Sequence, residues 1–108
     1  MIKLKLIYQN KEIEGKECKT FTSRLKGFMF KKNINTFLYF NHCNSIHTFF
    51  MKENIDVLLC NKNNQILYYY KNLSPNRIIL PKKYVTKVIE LPTNYFNNIK
   101  INEKVEFK

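Results

Sequence analysis

A β-rich fold, all-β or α+β, is what this chain predicts: a compact antiparallel β-sandwich or partly closed barrel with one short helix near residues 20–27. Three observations carry that expectation. Apolar residues recur in many short runs, some of them alternating with polar residues. Segments rich in asparagine, lysine and proline separate those runs at short intervals. Only Thr20–Gly27 combines helical spacing with signals for both helix ends.

The elements follow in order. Ile2, Leu4, Leu6 and Tyr8 alternate with Lys3, Lys5 and Ile7, as in a half-buried strand. Gln9-Asn10-Lys11 turns the chain into a partner strand ending at Gly15. Thr20 or Thr22 can cap the helix, and Gly27 can take the backbone angles that stop it. Phe21, Leu25 and Phe28 share a helical face and are expected to point to the core, with Phe28-Met29-Phe30 re-entering the interior. Strands are expected at 36–40, 46–51, 55–60, 66–70, 78–80, 85–91 and 105–107. Asn61–Asn64 reads as a hairpin turn, because asparagine tolerates positive φ better than other side chains. Pro81 and Pro92 bound strands and cannot sit inside central ones.

At 108 residues and 44% apolar composition, with nine Phe and seven Tyr, residues 1–108 make one domain with a substantial core. No apolar run reaches the roughly 18–20 residues that cross a bilayer, and the N-terminus lacks a signal-peptide pattern. No membrane is expected, and the expected location is cytoplasmic. Cys18, Cys43 and Cys60, odd in number and widely spaced, form neither a disulfide framework nor a zinc motif. Cys60 reads as core; Cys18 and Cys43 sit in polar context. His42 and His47 have no second cluster of ligands, and two glycines leave no phosphate loop, so no metal and no cofactor is expected.

The formal charge of +11 suits a polyanion partner. It equally suits a lysine- and asparagine-rich compositional bias, since only two arginines are present. Nucleic acid is therefore a partner kept open but not favoured. Tyr68-Tyr69-Tyr70 could stack bases, although alternation turns Tyr69 away from its neighbours.

Four blocks in order carry a resemblance: Arg24-Leu-Lys-Gly-Phe-Met29; Thr48-Phe-Phe-Met-Lys52 with Ile55-Asp56; Leu73-Ser-Pro-Asn-Arg77; and Val88-Ile-Glu-Leu-Pro92. From about Cys18 to Phe107 the chain resembles domain-of-unknown-function family 192, also called uncharacterised protein family 0127. It departs from the family pattern at Phe50, where tryptophan is usual, and at Asn54, where proline occurs. Asn94, Asn98 and Asn102 stand where the family has glycines. The resemblance implies a compact β-rich fold with one short helix and assigns no activity.

Polar residues inside apolar blocks are the site candidates, because burying one unpaired costs about 2–7 kcal/mol. His47, Lys52, Asp56 and Arg77 are the expected ligand-binding set. His47 could act as a general base or a ligand-binding donor, Lys52 and Asp56 flank a turn, and Arg77 sits beside a proline corner. For Asp56, an acid the resembled family keeps, the resemblance implies a backbone-capping role over catalysis. Arg24 and Glu90 read as structural polar residues, with an arginine–carboxylate pair as one expectation. The functional expectation is a small binding module for an anionic small molecule or a partner protein. The alternatives are an enzyme using His47 with a nearby acid, and a basic nucleic-acid-binding domain.

Overall fold

Leu6 and Tyr8 are buried while Lys3 and Lys5 are exposed, so alternation places one face of Lys3–Tyr8 (β1) on a core. The computed structural model describes residues 3–108. A two-residue loop, Gln9 (φ 54) and Asn10 (φ 59), returns the chain into Lys11–Glu17 (β2). Positive φ at both positions matches the right-handed twist of the hairpin.

Thr20 caps the helix Phe21–Lys26 (α1). Its hydroxyl accepts from Ser23 N, and Ser23 Oγ accepts from Thr20 N, both at 3.1 Å. Gly27 (φ 45) ends the helix. The remaining strands are β3 (Phe37–Asn41), β4 (Ile46–His47), β5 (Ile55–Cys60), β6 (Ile66–Leu73), β7 (Ile78–Ile79), β8 (Lys87–Leu91) and β9 (Glu106–Phe107).

Seven strands form one sheet in the order β6-β5-β8-β3-β2-β1-β9, and β4 pairs β7 in a separate two-stranded ribbon. The sheet is antiparallel except where β2 runs parallel to β3, through the crossover that holds α1. That pairing departs from the all-antiparallel expectation; the connection between the two strands holds α1. The C-terminal segment explains why the sheet curls into a partial barrel. Glu106 and Phe107 pair with β1, while Gln65, just before β6, bridges Lys104, and Ile66 N donates to Glu103 O at 2.9 Å. One stretch of chain thus ties together the two edges of the sheet.

Two cores result. Leu6, Phe37, Leu58, Ile66, Ile89 and Val105 fill the concave interior. Leu38, Phe40, Val57, Leu59 and Val88 pack the convex face beneath α1, the ribbon and the loops. Strands β3, β5 and β8 are covered on both sides, which is why they read as continuous apolar runs.

Several expectations are corrected. The strand expected to reach Met51 stops at His47, because Phe49 and Phe50 form a turn with Phe50 at φ 62. Leu25 and Phe30 are exposed, so they do not enter the core; Phe28 does. The side chain of Phe21 lies outside the described residues. Cys18, despite its polar sequence context, is buried in the convex core. Asn94, Asn98 and Asn102 have φ of 59, 55 and 77, so asparagine does carry the positive-φ turns there.

Candidate functional site

Glu90 on β8 faces the convex core, directly across from Leu38 on β3 and Val57 on β5. Only 2% of it is exposed. Among the described residues its Oε1 has no hydrogen-bond partner. Apolar surroundings disfavour the charged form, and burial pushes its carboxyl up to about 8. At neutral pH the group is therefore predominantly a neutral acid, able to donate as well as accept.

A cavity of about 290 Å³ opens on this carboxyl. The end of α1 and its exit supply Arg24, Lys26, Gly27 and Met29 to the wall. Phe40, Met51 and His47 close the other sides, with Cys43 and Ser45 between them. Gly27 is required here. A Cβ on it would stand 3.5 Å from Glu90 Oε1 and 3.8 Å from the Phe40 ring, at a φ that side chains rarely adopt.

Arg24 lines the cavity without pairing with Glu90. Its Nε donates to Cys18 O at 3.2 Å and an Nη donates to Asn41 O, which fastens α1 to the ends of β2 and β3. Among the described residues the ion pair within 4.0 Å is Lys5 with Glu12, at the surface. The expected arginine–carboxylate pair is thus replaced by arginine on backbone carbonyls. Next to this network, burial raises the Cys18 thiol, and Glu90 raises it further. Cys60, in the concave core, is pushed up to about 12 by burial, so neither thiol is a nucleophile near neutrality.

The four residues read from sequence as one binding set do not converge. His47 lines the cavity; its ring stacks on Phe49 at 5.0 Å, and its Nδ1 accepts from Phe49 N at 3.2 Å. Lys52 is exposed on a bend. Arg77 is exposed too, its Nε donating to Ser74 Oγ at 3.1 Å. Asp56 lies on the opposite side of β5 from Val57, buried and accepting from Asn72 N (2.8 Å), Asn94 N (3.0 Å) and the Tyr69 hydroxyl (3.3 Å). That is the backbone-capping role expected for it. Desolvation first, and then the Asp56 charge, push the Tyr69 phenol up to about 12.

Thr48 was not among the sequence candidates, yet it is buried with its hydroxyl fully engaged. Oγ1 donates to Ser74 O and accepts from Arg77 N, each at 2.8 Å, fastening the 73–77 corner beside β4. Its place among the apolar residues 46–51 was the available signal. Glu90, in the run Lys87–Leu91, carried the same signal. Among the described residues, no group of three or more His, Cys, Asp or Glu could hold a metal ion. No helix among them is long and apolar enough to cross a membrane.

The fold is shared with other proteins. A crystal structure from Sinorhizobium meliloti, of a protein described as a "putative transcription regulator", superposes with a TM-score of 0.81 at 15% identity, covering 97% of this chain and 92% of that one. A protein of unknown function from Novosphingobium aromaticivorans gives 0.75 at 14% identity, covering 97% and 84%. A UPF0127 protein of Thermococcus kodakarensis is 32% identical over 90 residues, which is 78% of this chain and 57% of the relative. A UPF0127 protein of Thermococcus sibiricus is 30% identical over 97 residues, 82% of this chain and 62% of the relative. The chain therefore spans about three fifths of the length of these relatives. The model of the DUF192 family, described as uncharacterized ACR, matches residues 5–107, and the chain belongs to that family.

Proposed function

We propose that this domain is a binding module for a small organic acid, held with its apolar body in the cavity and its carboxylate against Glu90. One observation carries this reading: a buried carboxyl oxygen with no partner faces a cavity large enough for a ligand. A buried polar atom without a partner is costly, and a ligand group that satisfies it recovers that cost on binding. Three features select an anion. Glu90, held largely protonated, offers a donor rather than a negative charge. Arg24 and Lys26 bring positive charge to the wall, and His47 adds an imidazole with hydrogen-bonding nitrogens. Phe40, Met29, Met51 and Ile46 supply apolar surface for the rest of the molecule. At about 290 Å³ the space is at the small end of ligand clefts, which run from about 300 to 1,000 Å³.

The test is a thermal-shift and NMR titration with aliphatic and aromatic monocarboxylates, set beside their amides and the matching amines. A ligand at 100 times its Kd stabilises by about 2.7 kcal/mol. Carboxylates are expected to stabilise the protein at pH 6.5 and to lose affinity at pH 9, where Glu90 is ionised. Glu90→Gln keeps a donor and should bind without that pH dependence, whereas Glu90→Leu should not bind. Arg77→Ala, at a residue that does not line the cavity, should bind as wild type. Preferential stabilisation by amines, or carboxylate binding unchanged in Glu90→Leu, overturns the reading.

A further inference from the structure

Beside the cavity, two aromatic side chains are displayed to solvent in a way that packing alone does not require. Phe30 and Phe50 are 62% and 61% exposed, and their rings stack at 5.7 Å. Both have φ of 62, a left-handed conformation uncommon for non-glycine residues and costly for bulky ones. The conformation is held by the chain around it. Phe30 N donates to Phe50 O at 2.9 Å. The Glu53 carboxylate accepts from Asn33 N at 2.7 Å and from Ile34 N at 3.2 Å, tying the 28–34 loop to the 48–54 loop. Met29 and Met51, the immediate neighbours of the two rings, line the recess. Leu25, also exposed, lies on the same wall.

We propose that the Phe30–Phe50 ledge is a docking surface for an acidic segment of a partner polypeptide, with an aromatic or aliphatic side chain as its anchor. The charge around the ledge selects the partner. Segments 24–33 and 48–54 carry Arg24, Lys26, Lys31, Lys32 and Lys52 against one acid, Glu53. That acid is already engaged with backbone N–H groups. A second copy of this chain would bring like charge against like charge, whereas an acidic segment is complementary. An anionic bilayer would also satisfy the charge. However, the rings stack on one another beside a recess, which suits the side chain of an extended segment better than a flat headgroup layer.

The experiment uses the full 15N-labelled chain and a capped pentapeptide, Glu-Glu-Phe-Glu-Glu, as probe. Its comparators are the same peptide with lysine for glutamate, the same peptide with alanine for phenylalanine, and phosphatidylcholine–phosphatidylserine vesicles. The acidic phenylalanine peptide is expected to shift the amides of residues 28–34 and 49–53. Its affinity should fall at least tenfold in Phe30→Ala/Phe50→Ala and decline with salt. Glu90→Leu, which tests the cavity, should leave this binding intact. Equal shifts from the lysine or alanine peptide overturn the proposal, as does silence of all peptides at millimolar concentration. So does vesicle binding in place of peptide binding, or a dimer in sedimentation that the double variant dissolves.

Discussion

Gly27 lies against the unpartnered oxygen of Glu90, close enough that a Cβ on the glycine would stand 3.5 Å from it. The end of α1 thereby reaches a buried carboxyl oxygen that has no hydrogen-bond partner among the described residues. Gly27→Ala adds a methyl group at a φ of 45, which strains the backbone. Chemical denaturation should register a loss of about 1–2 kcal/mol, in line with side chains forced into unfavourable backbone regions. A loss within error of zero would show that the helix end can shift freely.

Glu90 makes stability depend on pH with a definite sign. Its folded-state carboxyl titrates at about 8, above the ordinary value of 4.5. The folded protein thus holds a proton that the unfolded chain releases between those values. Its stabilising contribution is complete below pH 4.5 and is lost as pH rises through 8. Urea titrations should find wild type less stable at pH 8.5 than at pH 6 by on the order of a few kcal/mol. Glu90→Gln should remove most of that difference. An equal pH dependence in both proteins would place its origin in another group.

Asp56 is a stability residue, not part of the cavity. Asp56→Ala removes the acceptor for Asn72 N, Asn94 N and the Tyr69 hydroxyl. The three bonds are only partly buried, so each falls at the low end of the about 1–3 kcal/mol cost of a lost partner, and a total near 3 kcal/mol is expected in denaturation. Ligand binding by whatever fraction remains folded should be unchanged, which separates Asp56 from Glu90.

Thr48→Val keeps the shape of the side chain but removes its hydrogen bonds to Ser74 O and Arg77 N. A loss of about 2 kcal/mol is expected. Hydrogen exchange should quicken in the 73–77 corner ahead of the sheet. Uniform quickening across the whole chain would show instead that the corner is not a separate unit.

Gly15→Ala tests the parallel pairing. A Cβ there would lie 2.2 Å from Phe37 O and 2.4 Å from its ring, so β2 and β3 must separate. Overpacking of this kind costs typically about 1–3 kcal/mol, and more where backbone must yield. Thermal unfolding should show a lowered Tm; a wild-type Tm would mean that the two strands are less closely apposed than described.

Where information is local, the residues specify the outcome. Thr20 and Ser23 lie within one turn and cap the helix reciprocally. Asn10 and Asn64 sit in tight turns at positive φ, where asparagine is tolerated. The β-rich class and the single short helix were legible in this way, while the family, and with it the backbone-capping expectation for Asp56, came from four motif blocks in order. The site was not legible. Strands β3, β5 and β8 are apolar on both faces, so alternation cannot say which core a polar residue within them enters. Asp56 and Glu90 read alike, as acids inside apolar runs, yet they lie on opposite sides of one sheet. Pairing between distant segments, Glu90 with Leu38 and Val57, decided that, and it left one carboxyl accepting from backbone N–H groups and the other facing a cavity. The exposure of Phe30 likewise follows from its bond to Phe50, twenty positions away, and not from its neighbours in the chain. The sequence by itself determined the β-rich class, the short helix and its caps, because those depend on adjacent residues. Only the tertiary structure decided which faces meet, because strand register is set by contacts across the whole chain.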